Sequence, residues 1–210
     1  MPVILGEPQP FASRGGLKLD HALKQFHVLP CGKTAIDVGA STGGFTDCLL
    51  KNGAKKVYAV DVGYGQLVWS LRNDPRVICL DRKNARTLSK EDIGEALDLA
   101  VVDVSFISLQ LVIPPLLEIL KPEGDLLALV KPQFEVGKEE VENRGIIKDP
   151  DKHIRVLLNV NRFVAEKGWA VKAVTESPIT GQKGNREFLV HCVQGRYAEP
   201  VEEEIIRQLV

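Results

Sequence analysis

Short apolar runs alternate with helical patterns along the chain. The runs cover residues 34–38, 57–61, 77–80, 97–102, 125–130, 169–176 and 187–193. The first five are brief and almost wholly apolar, the pattern of central parallel strands covered on both faces. Between them the spacing predicts helices over residues 45–52, 66–72, 90–96 and 107–120. A longer helix, 149–167, opens on Asp149-Pro150 and stops at Gly168. Another is predicted at 17–26, where Leu17, Leu19, His21, Ala22, Leu23 and Phe26 leave room for an apolar stripe. Such alternation predicts an α/β doubly wound sheet. Residues 177–186 carry Pro178, Gly181 and Gly184 and read as a loop, so the last two strands run antiparallel.

One irregular stretch, 132–148, is rich in Glu, Lys and Gly. Segments of that length are functional lids or disordered, and here a lid over a substrate is expected. Composition removes several classes. The chain has 210 residues and is 44% hydrophobic, enough for a core without disulfides or metals. Lys+Arg is 27 against 28 for Asp+Glu, which excludes a histone-like binder but leaves room for a local basic face. Much of the acidity is terminal, in Glu199, Glu202, Glu203 and Glu204. Cys31, Cys48, Cys79 and Cys192 show no C-x-x-C spacing and fall in apolar stretches, where a free cysteine packs as a small hydrophobe. Free thiols and the lack of a secretory pattern at residues 1–10 predict a cytoplasmic location. The most apolar stretch, 101–120, holds Asp103, Pro114, Pro115 and Glu118, so no membrane span is expected. His21, His27, His153 and His191 form no ligand spacing, and no metal is expected.

The chemistry concentrates at strand ends. Asp37-Val38-Gly39-Ala40-Ser41-Thr42-Gly43-Gly44-Phe45 follows a strand and opens a helix, where open α/β sheets bind nucleotide-like ligands. A P-loop is excluded because Phe45 stands where its lysine belongs. A dinucleotide loop is disfavoured because Ser41 takes the second glycine place. An S-adenosylmethionine loop has no pyrophosphate to accommodate, and it suits Asp37, Gly39, Gly43 and Gly44. Asp61 ends the second strand near the ~20-residue offset at which an acid binds ribose hydroxyls. Asp81 ends the third and is placed to meet an adenine amino group. Taken singly, Asp61 and Asp81 are also ordinary turn formers. The pattern predicts a Rossmann-like methyltransferase fold, a mostly parallel seven-stranded sheet with one antiparallel strand. Asp103 ends the fourth strand and Lys131 the fifth, both in the crevice at the carboxyl edge. Glu187 opens the last strand, and Lys18 lies ahead of the first.

The stretches from Ser13 to Leu19, Asp37 to Asp47, Val60 to Leu67, Asp103 to Leu109 and Val130 to Glu135, with Gly137-Lys138 and Gly184-Asn185-Arg186-Glu187, resemble the TlyA family. These are FtsJ-like ribosomal RNA 2′-O-methyltransferases, often labelled hemolysins. The resemblance implies S-adenosylmethionine as cofactor and ribosomal RNA or ribosomal subunits as partner, with cytidine ribose as acceptor. It implies that Lys18, Asp103, Lys131 and Glu187 form a catalytic set. Lys131 would take or stabilise the hydroxyl proton, Asp103 would hold Lys131, and Lys18 with Glu187 would orient the ribose. Ser41, Thr42, Phe45, Gln66 and Asn84 join Asp37, Gly39, Gly43, Gly44, Asp61 and Asp81 as the expected cofactor-binding residues. Family members carry an amino-terminal RNA-binding module, whereas about a dozen residues precede the first motif here. Residues 1–12 are therefore read as a tail or linker remnant, 13–195 as the methyltransferase domain and 196–210 as an acidic tail. RNA contacts are expected among Arg14, Lys33, Lys51, Lys55, Lys56, Arg82, Lys83 and Arg86. A non-catalytic RNA-binding or ribosome-assembly protein is the competing class, and a membrane-lytic protein a more remote one.

Overall fold

The computed structural model describes residues 9–141 and 145–210. Most of the tail read at 1–12, and the tip of the lid read at 132–148, lie outside the described residues. Seven strands form one sheet: β1 (Thr34–Val38), β2 (Lys56–Asp61), β3 (Val77–Asp81), β4 (Leu97–Val102), β5 (Leu120–Val130), β6 (Trp169–Glu176) and β7 (Phe188–Gln194). Their order is β3-β2-β1-β4-β5-β7-β6. The pairs among β1 to β5 are parallel, and β7 runs antiparallel to both β5 and β6. The expected doubly wound α/β architecture with one antiparallel strand is present.

The sheet is covered on both faces because each strand alternates its side chains at period two. Ile36, Val60, Val102 and Ala128 face one core layer, with α5 (Leu109–Ile119) and α7 (Pro150–Glu166). Ala35, Ala59, Val101 and Leu127 face the other, with α1 (Gly15–Gln25) and α2 (Gly44–Lys51). On α1 the buried positions Leu19, Ala22 and Leu23 repeat at helical spacing. α7 stops at Gly168, whose φ of +75° suits a residue without Cβ.

Several expectations change. The helix read at 66–72 is only α3 (Trp69–Arg72), because Gly65 at φ +66° turns the chain and delays its start. The helix read at 90–96 is α4 (Lys90–Ile93), ended by Gly94 at φ +77°. β3 is an edge strand and only half-buried, so it is not a central one. β5 starts earlier than the apolar run, since Leu120 pairs with Leu97 across a register shift. Cys31 is exposed, whereas Cys48 and Cys192 are buried. The acidic terminus contains α8 (Glu203–Leu209), whose Ile206 is buried in the core. The lid segment includes a short helix, α6 (Pro132–Glu135). Two contacts hold it: Glu140 pairs with Arg155 of α7, and buried Ile147 donates its N–H to Asn185.

Candidate active site

The carboxyl edge of the sheet carries the site, because parallel strands deliver their ends to one crevice. After β1 the chain turns sharply. Gly39 has φ +88°, and a Cβ there would stand 2.3 Å from the Asp103 carbonyl oxygen. The turn is anchored when Gly39 and Ala40 donate to the Val60 carbonyl at 2.9 and 3.1 Å. Asp61 holds it from the next strand, accepting from the Ser41 N–H at 2.8 Å and the Gly63 N–H at 2.7 Å.

Two adjoining cavities meet at this turn. The larger, of 820 Å³, is lined by Gly39, Ser41, Asp61, Gln66, Asn84 and Asp103, among others. The smaller, of 240 Å³, is lined by Arg14, Lys18, Gly39, Ser41, Thr42, Gly44, Phe45 and Asp103, with Thr180 and Gly181 on the opposite wall. Asp103 lines both. The larger volume is that of a site for a small molecule.

The four expected catalytic residues come together as two ion pairs. Lys131 Nζ meets Asp103 Oδ1 at 2.6 Å, and Lys18 Nζ meets Glu187 Oε2 at 2.5 Å. Lys18 and Glu187 are 169 residues apart. The antiparallel strand explains the meeting: β7 starts where the parallel strands end, so the residue just before Phe188 arrives at the same edge. The Lys18 side chain is 11% exposed and that of Glu187 3%. Lys131 also donates to Ser105 Oγ at 3.0 Å.

Asp37 lies beneath the turn, fully buried, and accepts from the Thr46 hydroxyl at 2.6 Å. Its other oxygen, Oδ1, has no hydrogen-bond partner among the described residues. Burial raises its pKa to about 7, against the hydrogen bond from Thr46, and the charges of Asp103 and Asp61 add to the rise.

Besides the buried Asp37, two expected cofactor residues line neither cavity. Gly43 lines neither cavity; at φ +102° it precedes α2, and a Cβ would stand 2.3 Å from Leu71 Cδ1. It is a packing glycine. Asp81 lines neither cavity, because Arg72 holds both its oxygens at 2.9 and 2.6 Å. Asn84, at the same strand end, faces the larger cavity instead. Sequence reasoning gave no role to Ser105, Phe106, Phe134 or Glu135, although all lie in motifs already noted. Phe106 is 88% exposed with φ +62° and packs on Phe134 at 4.9 Å between ring centroids.

The eight noted cations divide by pairing. Lys33, Lys51, Lys56 and Lys83 are neutralised by Asp125, Asp47, Glu95 and Asp92. Arg14, Lys55, Arg82 and Arg86 make no ion pair among the described residues. Arg14 and Arg86 line the two cavities, and Arg82 lies over exposed Tyr64 at 4.6 Å.

A seven-stranded sheet with its last strand reversed, a glycine turn after β1 and an acid on β2 define a Rossmann-like methyltransferase. The FtsJ-like methyltransferase profile matches residues 11–193, and the chain belongs to that family. It is 48% identical over 188 residues to the 16S/23S rRNA (cytidine-2′-O)-methyltransferase TlyA of Mycobacterium tuberculosis, covering 90% of this chain and 70% of that protein. It is 43% identical over 184 residues to Hemolysin A of Brachyspira hyodysenteriae, covering 87% and 77%. A solved structure from Lactococcus lactis is 47% identical, with a TM-score of 0.90 over 96% of this chain and 98% of that one.

Proposed function

We propose that this chain transfers a methyl group from S-adenosylmethionine to the 2′-hydroxyl of a cytidine ribose in ribosomal RNA. The observation that carries the reading is that Asp103 and Lys18 line cavities floored by the glycine turn, each ion-paired from behind, to Lys131 and to buried Glu187, which line neither cavity. The residues fit the cofactor. Asp61 and Gln66 face the larger cavity for ribose hydroxyls, and Gly39 and Ser41 line both cavities where the backbone passes the ligand. When bound, the cofactor supplies a methyl on an activated sulfonium.

The chain's own residues then position the partners and manage one proton. The Lys131 ammonium, held by Asp103, stabilises negative charge developing on the ribose oxygen, and the hydroxyl proton leaves to solvent as that oxygen takes the methyl group. Lys18, fixed by buried Glu187, presents a second cation to the smaller cavity and orients the acceptor ribose. The relatives named as cytidine-2′-O-methyltransferases support the same substrate. Calorimetric titration with S-adenosylmethionine, with NAD as control, tests the pocket. Methyl transfer to ribosomal subunits then tests the acceptor. Tight cofactor binding with no transfer to any ribosomal RNA would favour a binding protein that keeps the fold.

A further inference from the structure

The loop between β4 and α5 carries Asp103, Ser105 and Phe106 into the larger cavity. It needs outside support, since Phe106 sits at φ +62°, which side chains other than glycine adopt at a cost. The support comes from one short stretch after β5. Lys131 reaches Asp103 at 2.6 Å and Ser105 at 3.0 Å. Phe134 packs on Phe106. Glu135 accepts from the Ser108 hydroxyl at 2.7 Å and from the Leu109 N–H at 2.9 Å.

The first turn of α5 contains no acidic residue of its own. Its leading N–H groups lack intrahelical partners and favour a negative charge nearby. Glu135 supplies that charge from another element. Burial raises the Glu135 pKa, and the hydrogen bonds from Leu109 and Ser108 oppose the rise.

We propose that Glu135 is a positioning residue for methyl transfer, clamping the β4–α5 loop so that Asp103 and Ser105 meet Lys131. The proposal rests on the functional reading above, and Glu135 itself touches none of the reacting atoms.

The test compares Glu135→Ala and Glu135→Gln with the unchanged protein. Methylation of ribosomal subunits by Glu135→Ala is expected to lose about 10- to 100-fold in kcat, the scale of a small misplacement of reacting groups. KM for the subunit and affinity for S-adenosylmethionine stay within about twofold. Glu135→Gln keeps an acceptor for the Leu109 N–H and recovers most of the loss. Amide hydrogen exchange at Leu109 and Gln110 rises about tenfold in Glu135→Ala, while exchange in β1 is unchanged. Unaltered exchange at Leu109 overturns the clamp. So does a joint change of kcat, KM and β1 exchange, which would mark general loosening. Exchange needs no catalysis, so failure of the unchanged protein to methylate RNA sinks the functional reading while exchange still decides the clamp.

Discussion

Lys131 and Asp37 show how burial and partners decide what a charged residue does. Lys131 ends a strand, and Asp103 keeps it an ion pair beside the cavity. Lys131→Ala is expected to lower methyl transfer at least about 100-fold, the usual scale for removing a group that stabilises developing negative charge. Calorimetry should show cofactor affinity nearly intact; normal transfer by the variant would refute the assignment. Asp37 behaves oppositely, because burial raises its pKa from 3.8 to about 7. Between those values the folded protein holds a proton that the unfolded chain has released. Stability therefore falls as pH rises through that window, by roughly 4 kcal/mol in all, and then levels. Asp37→Asn should flatten this dependence, so urea midpoints at pH 5 and pH 8 should differ less in the variant than in the unchanged protein.

At the scale of elements, the acidic terminus is the instructive case. Composition alone makes it a solvated tail, yet α8 buries Ile206 to 1% exposure. Arg186 ties the same region down, donating to the Val210 carbonyl at 2.9 Å while pairing with Glu176. Ile206→Ala is expected to cost about 2 kcal/mol, at the low end for a buried aliphatic truncation. Thermal unfolding would show it, and an unshifted midpoint would mean that α8 adds nothing to the core. The glycines divide in a similar way. Gly39 and Gly43 read alike in the motif. One admits a neighbouring backbone at the cavity wall, and the other admits leucine side chains from α3 and the loop before it.

Across the whole molecule, near-neutral charge hides an uneven surface. Four noted lysines are already paired, while arginines without carboxylate partners stand at or near the mouth of the site. RNA affinity should therefore depend on a few cations rather than on net charge. Arg82→Ala is expected to lower the slope of log K against log salt by about 1, one phosphate contact, without changing cofactor affinity. Filter binding at several salt concentrations measures this, and an unchanged slope would remove Arg82 from the RNA path.

Alternation of apolar runs with helical spacing was enough to determine the doubly wound sheet, its reversed last strand and the acids and lysine at strand ends. These follow from local periodicity and from parallel strands sending their ends to one edge. Pairing was legible only in part. The Lys18–Glu187 contact spans the sequence, and residue patterns alone gave no reason to join them; the family resemblance did. Asp81 had the same local signature as Asp61, but Arg72 claimed it. Glu135 had no distinguishing signal beyond its motif, because its role depends on a helix start contributed by another segment. Which charge meets which partner is decided by tertiary packing, since Coulomb and hydrogen-bond energies depend on distances that periodicity does not encode.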